Sequence, residues 1–212
     1  MKSWQDACID AERSFPARHP TLDRLRKLSP DWQKSWAGHR SLQLDDLDDW
    51  CVANQPRVIL ELGSGWTTVV LARYCAEFKG RLITVEENEG WRDKSVMPLM
   101  QEWCKIEWYM SPSTVENNTT FYRSLPPGLK DIDLLYVDGP AGYGPKAYAA
   151  VDAVRLVQAG IRPRNILFDI RHDSVDVFKL VEGYGFHPGI SYPSPKPWYL
   201  RSCRHHSWFW RK

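Results

Sequence analysis

Residues Val58 to Ala72, Val-Ile-Leu-Glu-Leu-Gly-Ser-Gly-Trp-Thr-Thr-Val-Val-Leu-Ala, restrict the possible folds more than any other stretch of the chain. The run Val58 to Leu62 is short, apolar and β-branched, as expected of a strand buried on both faces. Gly63-Ser64-Gly65 then breaks it. Beyond the break, Val70, Leu71, Tyr74 and Phe78 are spaced to share one face of a helix over Thr67 to Phe78, with Gly80 placed as its C-cap. A strand that enters a helix through a glycine turn brings bare backbone close to a ligand and aims the first helical N–H groups at it. The pattern alone fits a dinucleotide, a phosphate or a merely structural turn. Two acids narrow it. Glu61 stands two residues before Gly63, and Glu86 ends the next apolar run, Arg81 to Glu86, at 86 − 63 = 23 residues from that glycine. Nucleotide-binding βαβ units place a carboxylate about 20 residues on, against ribose hydroxyls.

Further strands are expected at Ile106 to Met110, Asp133 to Asp138, Asn165 to Asp169, from Gly185-Phe186, and at Trp198 to Arg204. Helices are expected over residues 3 to 15, stopping before Pro16, from Ser29-Pro30 toward Gly38, and from a Ser41 cap to Asn54. In the last of these Asp45 and Asp46 would lie near the positive end of the dipole, and Leu44, Leu47 and Cys51 would line one face. Others are expected at Arg92 to Trp103, from Gly142-Tyr143-Gly144-Pro145 to Gly160, and from Ser174 to Gly183. Val115 to Lys130, with Pro126-Pro127-Gly128, reads as a polar loop holding at most a short helix.

The chain of 212 residues can bury a full core, and its formal net charge of +2 makes no global case for nucleic acid or an anionic membrane as partner. No apolar run approaches the ~20 residues of a membrane span, and the charged first residues do not resemble a signal peptide. Five scattered cysteines without C-x-x-C spacing predict reduced thiols in a cytoplasmic protein, not a disulfide framework or a zinc site.

Glu61-Leu-Gly-Ser-Gly-Trp-Thr-Thr68, followed by Thr84-Val-Glu86-Glu-Asn88 and later by Ile132-Asp-Leu-Leu-Tyr-Val-Asp138-Gly-Pro140, resembles the class I S-adenosylmethionine-dependent methyltransferases. The resemblance runs from about Val58 to the C-terminus. It implies an α/β fold: a Rossmann-like, seven-stranded, mostly parallel sheet with helices on both faces and a closing antiparallel hairpin. Residues 1–54 would be an N-terminal helical extension or lid, and 55–212 the Rossmann-like domain. It implies S-adenosyl-L-methionine as cofactor, with Glu61, Gly63, Ser64, Gly65, Trp66 and Thr67 at its methionine half, Glu86 on the ribose, and Glu87, Ser111 and Asp138 completing the site. A nicotinamide cofactor fits less well, because Thr68 stands where the third glycine of G-x-G-x-x-G belongs.

Methyl transfer is an in-line displacement, so the protein has to align donor and acceptor and make the acceptor nucleophilic. Asp138, Asp169 and His172 are the candidate catalytic groups, at or just beyond strand ends, and Tyr143, Lys146 and Arg171 the candidate substrate contacts. In one version Asp138 and Asp169 hold a divalent cation such as Mg2+, as in the catechol-type O-methyltransferases, although Ile170 stands where that group carries Asn. In the metal-free version His172 or Asp138 is the general base, and Arg171 or Lys146 orients a substrate acid or phosphate. The acceptor expected is a small molecule, methylated at oxygen rather than nitrogen. Three alternatives stay open. The basic, aromatic tail Trp198 to Lys212 could serve a nucleic-acid methyltransferase, against which stands Asp138-Gly-Pro-Ala141 in place of an Asn/Asp-Pro-Pro-aromatic motif. An aminopropyltransferase would want an acid at Ala141. A non-catalytic cofactor-binding domain would use the aromatic surface, and eleven tryptophans also suit a homodimer contact.

Overall fold

The computed structural model describes residues 4–27, 37–100, 105–140, 149–169, 187–188 and 206–210. Among the described residues three helices come first, α1 (Trp4–Arg18), α2 (Pro20–Lys27) and α3 (Ala37–Asn54). The glycine turn then lies between β1 (Val58–Leu62) and α4 (Trp66–Phe78), as its sequence demands. Strand β2 (Arg81–Glu86) leads through irregular helical turns over Glu89–Trp91, Arg92–Val96 and Met97–Leu99 to β3 (Ile106–Met110). After it come β4 (Ser113–Glu116), β5 (Thr119–Tyr122), β6 (Leu134–Val137), β7 (Ala149–Ala150), α5 (Asp152–Gln158), β8 (Asn165–Asp169), β9 (His187–Pro188) and β10 (His206–Trp210).

The main sheet has the order β3-β2-β1-β6-β8-β10-β9. Its first five strands run parallel, and β10 lies antiparallel to both β8 and β9. Strand order reverses at β1, between β2 and β6, so a crevice opens at the carboxyl ends there. Alternation along each strand sorts side chains into two cores. Ile59, Leu134, Tyr136 and Leu167 face the layer of Phe15, Leu44, Leu47, Trp50, Cys51, Val70 and Tyr74, contributed by α1, α3 and α4. Leu60, Val85, Leu135, Val137, Ile166 and Phe168 face Tyr122, Ala153, Leu156 and Val157 instead. Helices therefore cover both faces. Cys51 and Cys75 are buried free thiols.

Helix α3 is held to its neighbours by ion pairs: Arg18 and His19 meet Asp45, Arg18 reaches Asp49 at 2.5 Å, and Arg73 of α4 meets Asp48.

Several local expectations differ from what is observed. Pro16 lies inside α1 rather than after it, because it falls in the last turn and deletes only one ladder bond. Helix α3 begins at Ala37, so Ser41 is no cap; its buried hydroxyl donates to Glu12 at 2.5 Å, and Asp45 sits in mid-helix as an ion-pair partner. Lys79, not Gly80, takes the left-handed C-cap conformation at φ 57°. Pro98 falls in a 3-10 turn, where the helix expected to reach Trp103 has already lost its regular form. Of the helix expected from Gly142 to Gly160, the first part lies outside the described residues; β7 intervenes at Ala149–Ala150, and the described helix is Asp152–Gln158.

The expected polar loop is instead a hairpin. Strands β4 and β5 pair antiparallel, and β7 adds to them in a small second sheet. Asn117 and Asn118 form its turn at φ 49° and 61°, the left-handed conformation that Asn tolerates and that matches strand twist. The last described strand is His206–Trp210, which puts five residues of the aromatic tail into the sheet; the strand expected at Trp198 to Arg204 lies outside the described residues. The helices expected at Ser29 to Gly38 and Ser174 to Gly183 fall largely or wholly outside the described residues.

Candidate functional site

The turn after β1 touches the turn after β6. Gly63 has φ +86°, and a Cβ on it would lie 2.6 Å from the backbone nitrogen of Gly139. Only glycine fits there. Hydrogen bonds from Gly63 N to Val85 O (2.9 Å), from Asp138 N to Leu62 O (2.8 Å) and from Ser111 N to Glu86 O (2.9 Å) knit the carboxyl ends of four parallel strands into a floor. At Gly65, by contrast, an added Cβ meets nothing within 4 Å. Its N–H donates to Thr68 Oγ1 at 2.9 Å, which closes the first turn of α4.

Over this floor lies a cleft of about 710 Å³. It is lined by Gly63, Ser64, Glu86, Glu87, Asn88, Glu89, Trp91, Ser113, Val115, Tyr122, Asp138 and Gly139. Four of these are acids, and none is Lys or Arg. Asp138 is half-buried at the end of β6.

Glu86 is buried at the end of β2, and its own chain holds it on every side. Its Oε2 accepts from Ser64 N at 2.9 Å and Ser64 Oγ at 2.6 Å; its Oε1 accepts from Glu87 N and Asn88 N, both at 2.8 Å. Trp91 reaches back to donate from Nε1 to the Ser64 carbonyl at 2.9 Å. The carboxylate of Glu86 is thus fixed in orientation at the wall of the cleft.

Glu61 lies beneath the turn and has no exposed surface. Thr67 Oγ1 donates to its Oε1 and Thr84 Oγ1 to its Oε2, each at 2.9 Å. Burial pushes its carboxyl up to about 8, against the opposing pull of the Thr67, Thr68 and Thr84 hydroxyls. A largely neutral acid at pH 7 is the result. Tyr136 is buried beside the same strand ends; burial first, then the nearby Asp169 and Asp138 charges, raise its phenol well above its ordinary range.

The expected site residues therefore separate. Gly63, Ser64, Glu86, Glu87 and Asp138 line the cleft. Glu61 and Thr67 support it from below, and Trp66 packs against the helical core. Ser111 is buried, its hydroxyl accepting from Ser124 N at 3.0 Å, and it ties β3 to the chain after β5. Asp169 is not among the cleft residues; its Oδ1 accepts from Gln43 Nε2 of α3 at 2.6 Å. Among the described residues no group of three or more His, Cys, Asp or Glu side chains is placed to hold a metal ion. With one Asp169 oxygen engaged by an amide, the expected Asp138–Asp169 cation pair finds no support. Tyr143, Lys146, Arg171 and His172 lie outside the described residues.

Sequence reasoning missed Trp91, Tyr122 and Gln43. Tyr122 carried a signal, since Thr119-Thr-Phe-Tyr122 after an Asn-Asn pair reads as a strand leaving a hairpin turn. Gln43 carried none, because its partner lies 126 residues away.

No protein-family model matches this chain, and no curated protein does. Solved structures do. The methyltransferase domain of bacterial CtHen1-C is similar at a TM-score of 0.50 and 10% identity, over 82% of this chain and 98% of that one. The plantazolicin methyltransferase BpumL in complex with SAH gives 0.49 and 10%, over 98% of each chain. An O-methyltransferase from Bacillus cereus in complex with SAH gives 0.47 and 14%, over 90% of this chain and 88% of that one. Identities this low speak to fold alone. Together with the strand order, the first of these likenesses shows that the chain has the class I methyltransferase fold.

Proposed function

We propose that the protein is an S-adenosylmethionine-dependent methyltransferase whose acceptor is a small molecule, methylated at oxygen. One observation carries the reading: the cleft beside the glycine turn presents Glu86, Glu87, Glu89 and Asp138, with no Lys or Arg among the described lining residues. A dinucleotide would bring a pyrophosphate into that field. S-adenosylmethionine brings a sulfonium and an ammonium against a single carboxylate, a net positive charge. Like charges ~4 Å apart near a protein surface repel by about 4 kcal/mol at an effective dielectric of 20, and opposite charges gain as much. The donor set also suits the group: a bare-backbone turn at Gly63 to Gly65, and a fixed carboxylate, Glu86, for a ribose diol.

When bound, the cofactor supplies an electrophilic methyl group on sulfur. The residues of this chain do the rest. The turn would hold the methionine half, with Glu61, Trp66 and Thr67 keeping its shape. Glu86 would hold the ribose, and Glu87 and Ser111 flank the adenine side. Asp138, in the cleft wall, would take the acceptor proton, with His172 and Asp169 as further candidates and Tyr143, Lys146 and Arg171 placing the substrate. Residues 1–54 would serve as an extension over the site.

Calorimetric titration with S-adenosylhomocysteine, beside NAD and a Glu86→Ala variant, tests this. Micromolar binding, about −8 kcal/mol, that Glu86→Ala abolishes and NAD does not match is the expected result. Equal or tighter binding of NAD overturns the reading.

A further inference from the structure

Glu86 has four hydrogen bonds from its own chain in this structure, two on each oxygen, which fills the usual acceptor capacity of a carboxylate. Three come from backbone N–H groups that cannot leave without moving the turn. The fourth comes from a rotatable hydroxyl, Ser64 Oγ at 2.6 Å. Ser64 is also pinned at its other polar groups: its N–H donates to Glu86 and its carbonyl accepts from Trp91 Nε1. Its backbone is therefore fixed, while its side chain turns about a single bond in the wall of the cleft.

We infer that the Ser64 hydroxyl is an internal stand-in for a ligand hydroxyl at Glu86, and that a ribose diol must displace it to bind. This rests on the methyltransferase reading and concerns the regulation of that same site. The exchange swaps one hydrogen bond to a charged acceptor for another, so the ligand gains only the difference. It also explains how a buried carboxylate facing an open cleft stays satisfied before a ligand arrives. Ser64 thus lowers cofactor affinity instead of adding to it, and the loss is specific to ligands that carry ribose hydroxyls.

The test is competition calorimetry with S-adenosylhomocysteine, adenosine and 2′,3′-dideoxyadenosine on the full chain and on Ser64→Ala and Ser64→Thr. Ser64→Ala is expected to bind S-adenosylhomocysteine and adenosine about ten- to a hundredfold tighter, by the weight of one charge-assisted hydrogen bond, with no gain for dideoxyadenosine. Ser64→Thr keeps the hydroxyl and is expected to show no gain. Wild-type binding with unchanged or weaker affinity in Ser64→Ala overturns the inference and leaves the methyltransferase reading standing, as does an equal gain for dideoxyadenosine. No binding of S-adenosylhomocysteine by the wild type overturns both.

Discussion

Replacing Glu61 with glutamine should change how stability depends on pH, and the size of the change follows from burial. Glu61 is wholly enclosed, and its carboxyl titrates at about 8 when folded against an ordinary 4.5. Between these values the folded chain keeps a proton that the unfolded chain has released. Stability from this group is therefore fully present below pH 4.5 and is lost as pH rises through about 8, at about 1.4 kcal/mol per pH unit. Across pH 5 to 7.5 the wild type should lose roughly 3 kcal/mol on this account. Glutamine has the shape of the protonated acid: its carbonyl accepts from one threonine, and its amide donates to the other once that hydroxyl turns. Glu61→Gln has no proton to lose, so this slope disappears. Urea denaturation of both proteins at half-unit steps from pH 5 to 8.5 gives a difference curve in which all other titrating groups cancel. Asp152, which burial also raises, to about 6, is one of those groups. A wild-type-minus-variant difference that falls by roughly 3 kcal/mol between about pH 5 and 7.5 supports the reading; a flat one means that Glu61 is ionised in the fold and refutes it.

The two glycines of the turn should part company. Gly63→Ala forces a Cβ to 2.6 Å from Gly139 N at a φ of +86°, so it should cost about 1–3 kcal/mol or more in denaturation midpoint and abolish S-adenosylhomocysteine binding, whereas Gly65→Ala should fold normally. Gln43→Leu removes the amide donor from Asp169 and leaves a half-buried carboxylate short of a partner; chemical denaturation at pH 7 should show a loss of about 1–3 kcal/mol, partly restored by adding Asp169→Asn. Asn118→Val places a β-branched residue at φ 61° in the hairpin turn, and a thermal melt should register about 1–2 kcal/mol of destabilisation, while Asn118→Gly should be neutral or better.

The elements legible in the sequence share one property: they are strands buried on both faces by apolar residues of the helical layers. β1, β2, β6 and β8 are runs such as Val58 to Leu62 and Leu134 to Val137, and a run buried on both faces needs no periodicity to be seen. The acids that end them, Glu86, Asp138 and Asp169, were legible for the same reason, because a charge closing an apolar run marks the edge of the sheet. What escaped depends on distant partners. Ser41 has the residue type of a cap and serves as a buried donor to Glu12, a role that only the packing of α1 on α3 creates. The β4–β5 hairpin hid behind polar residues, since threonines and asparagines fit a loop as well as a short sheet until the left-handed Asn117-Asn118 pair is weighed. That His206–Trp210 takes the strand position beside β8 is a choice of register with no local signature.

The alternation of strand side chains explains why the N-terminal helices and the proposed cofactor turn belong to one physical unit. In β1, β6 and β8 the residues facing α3 and α4 are Ile59, then Leu134 and Tyr136, then Leu167. One step of two further along each strand brings Glu61, Asp138 and Asp169 to the same side. A row of three acids thus forms at the carboxyl ends under a helical layer, where unpartnered charge is costly. Glu61 and Asp169 are accommodated in different ways. Glu61 is kept protonated by burial, while Thr67 and Thr84 hydroxyls satisfy its oxygens, and Asp169 takes an amide from Gln43 of α3. Asp138 alone of the three lines the cleft. The proton acceptor proposed for methyl transfer is therefore the member of the row that the helices leave facing the ligand. A mutation that loosens α3, remote from the cleft in sequence, should be felt first at Asp169 and Tyr136 and only through them at Asp138.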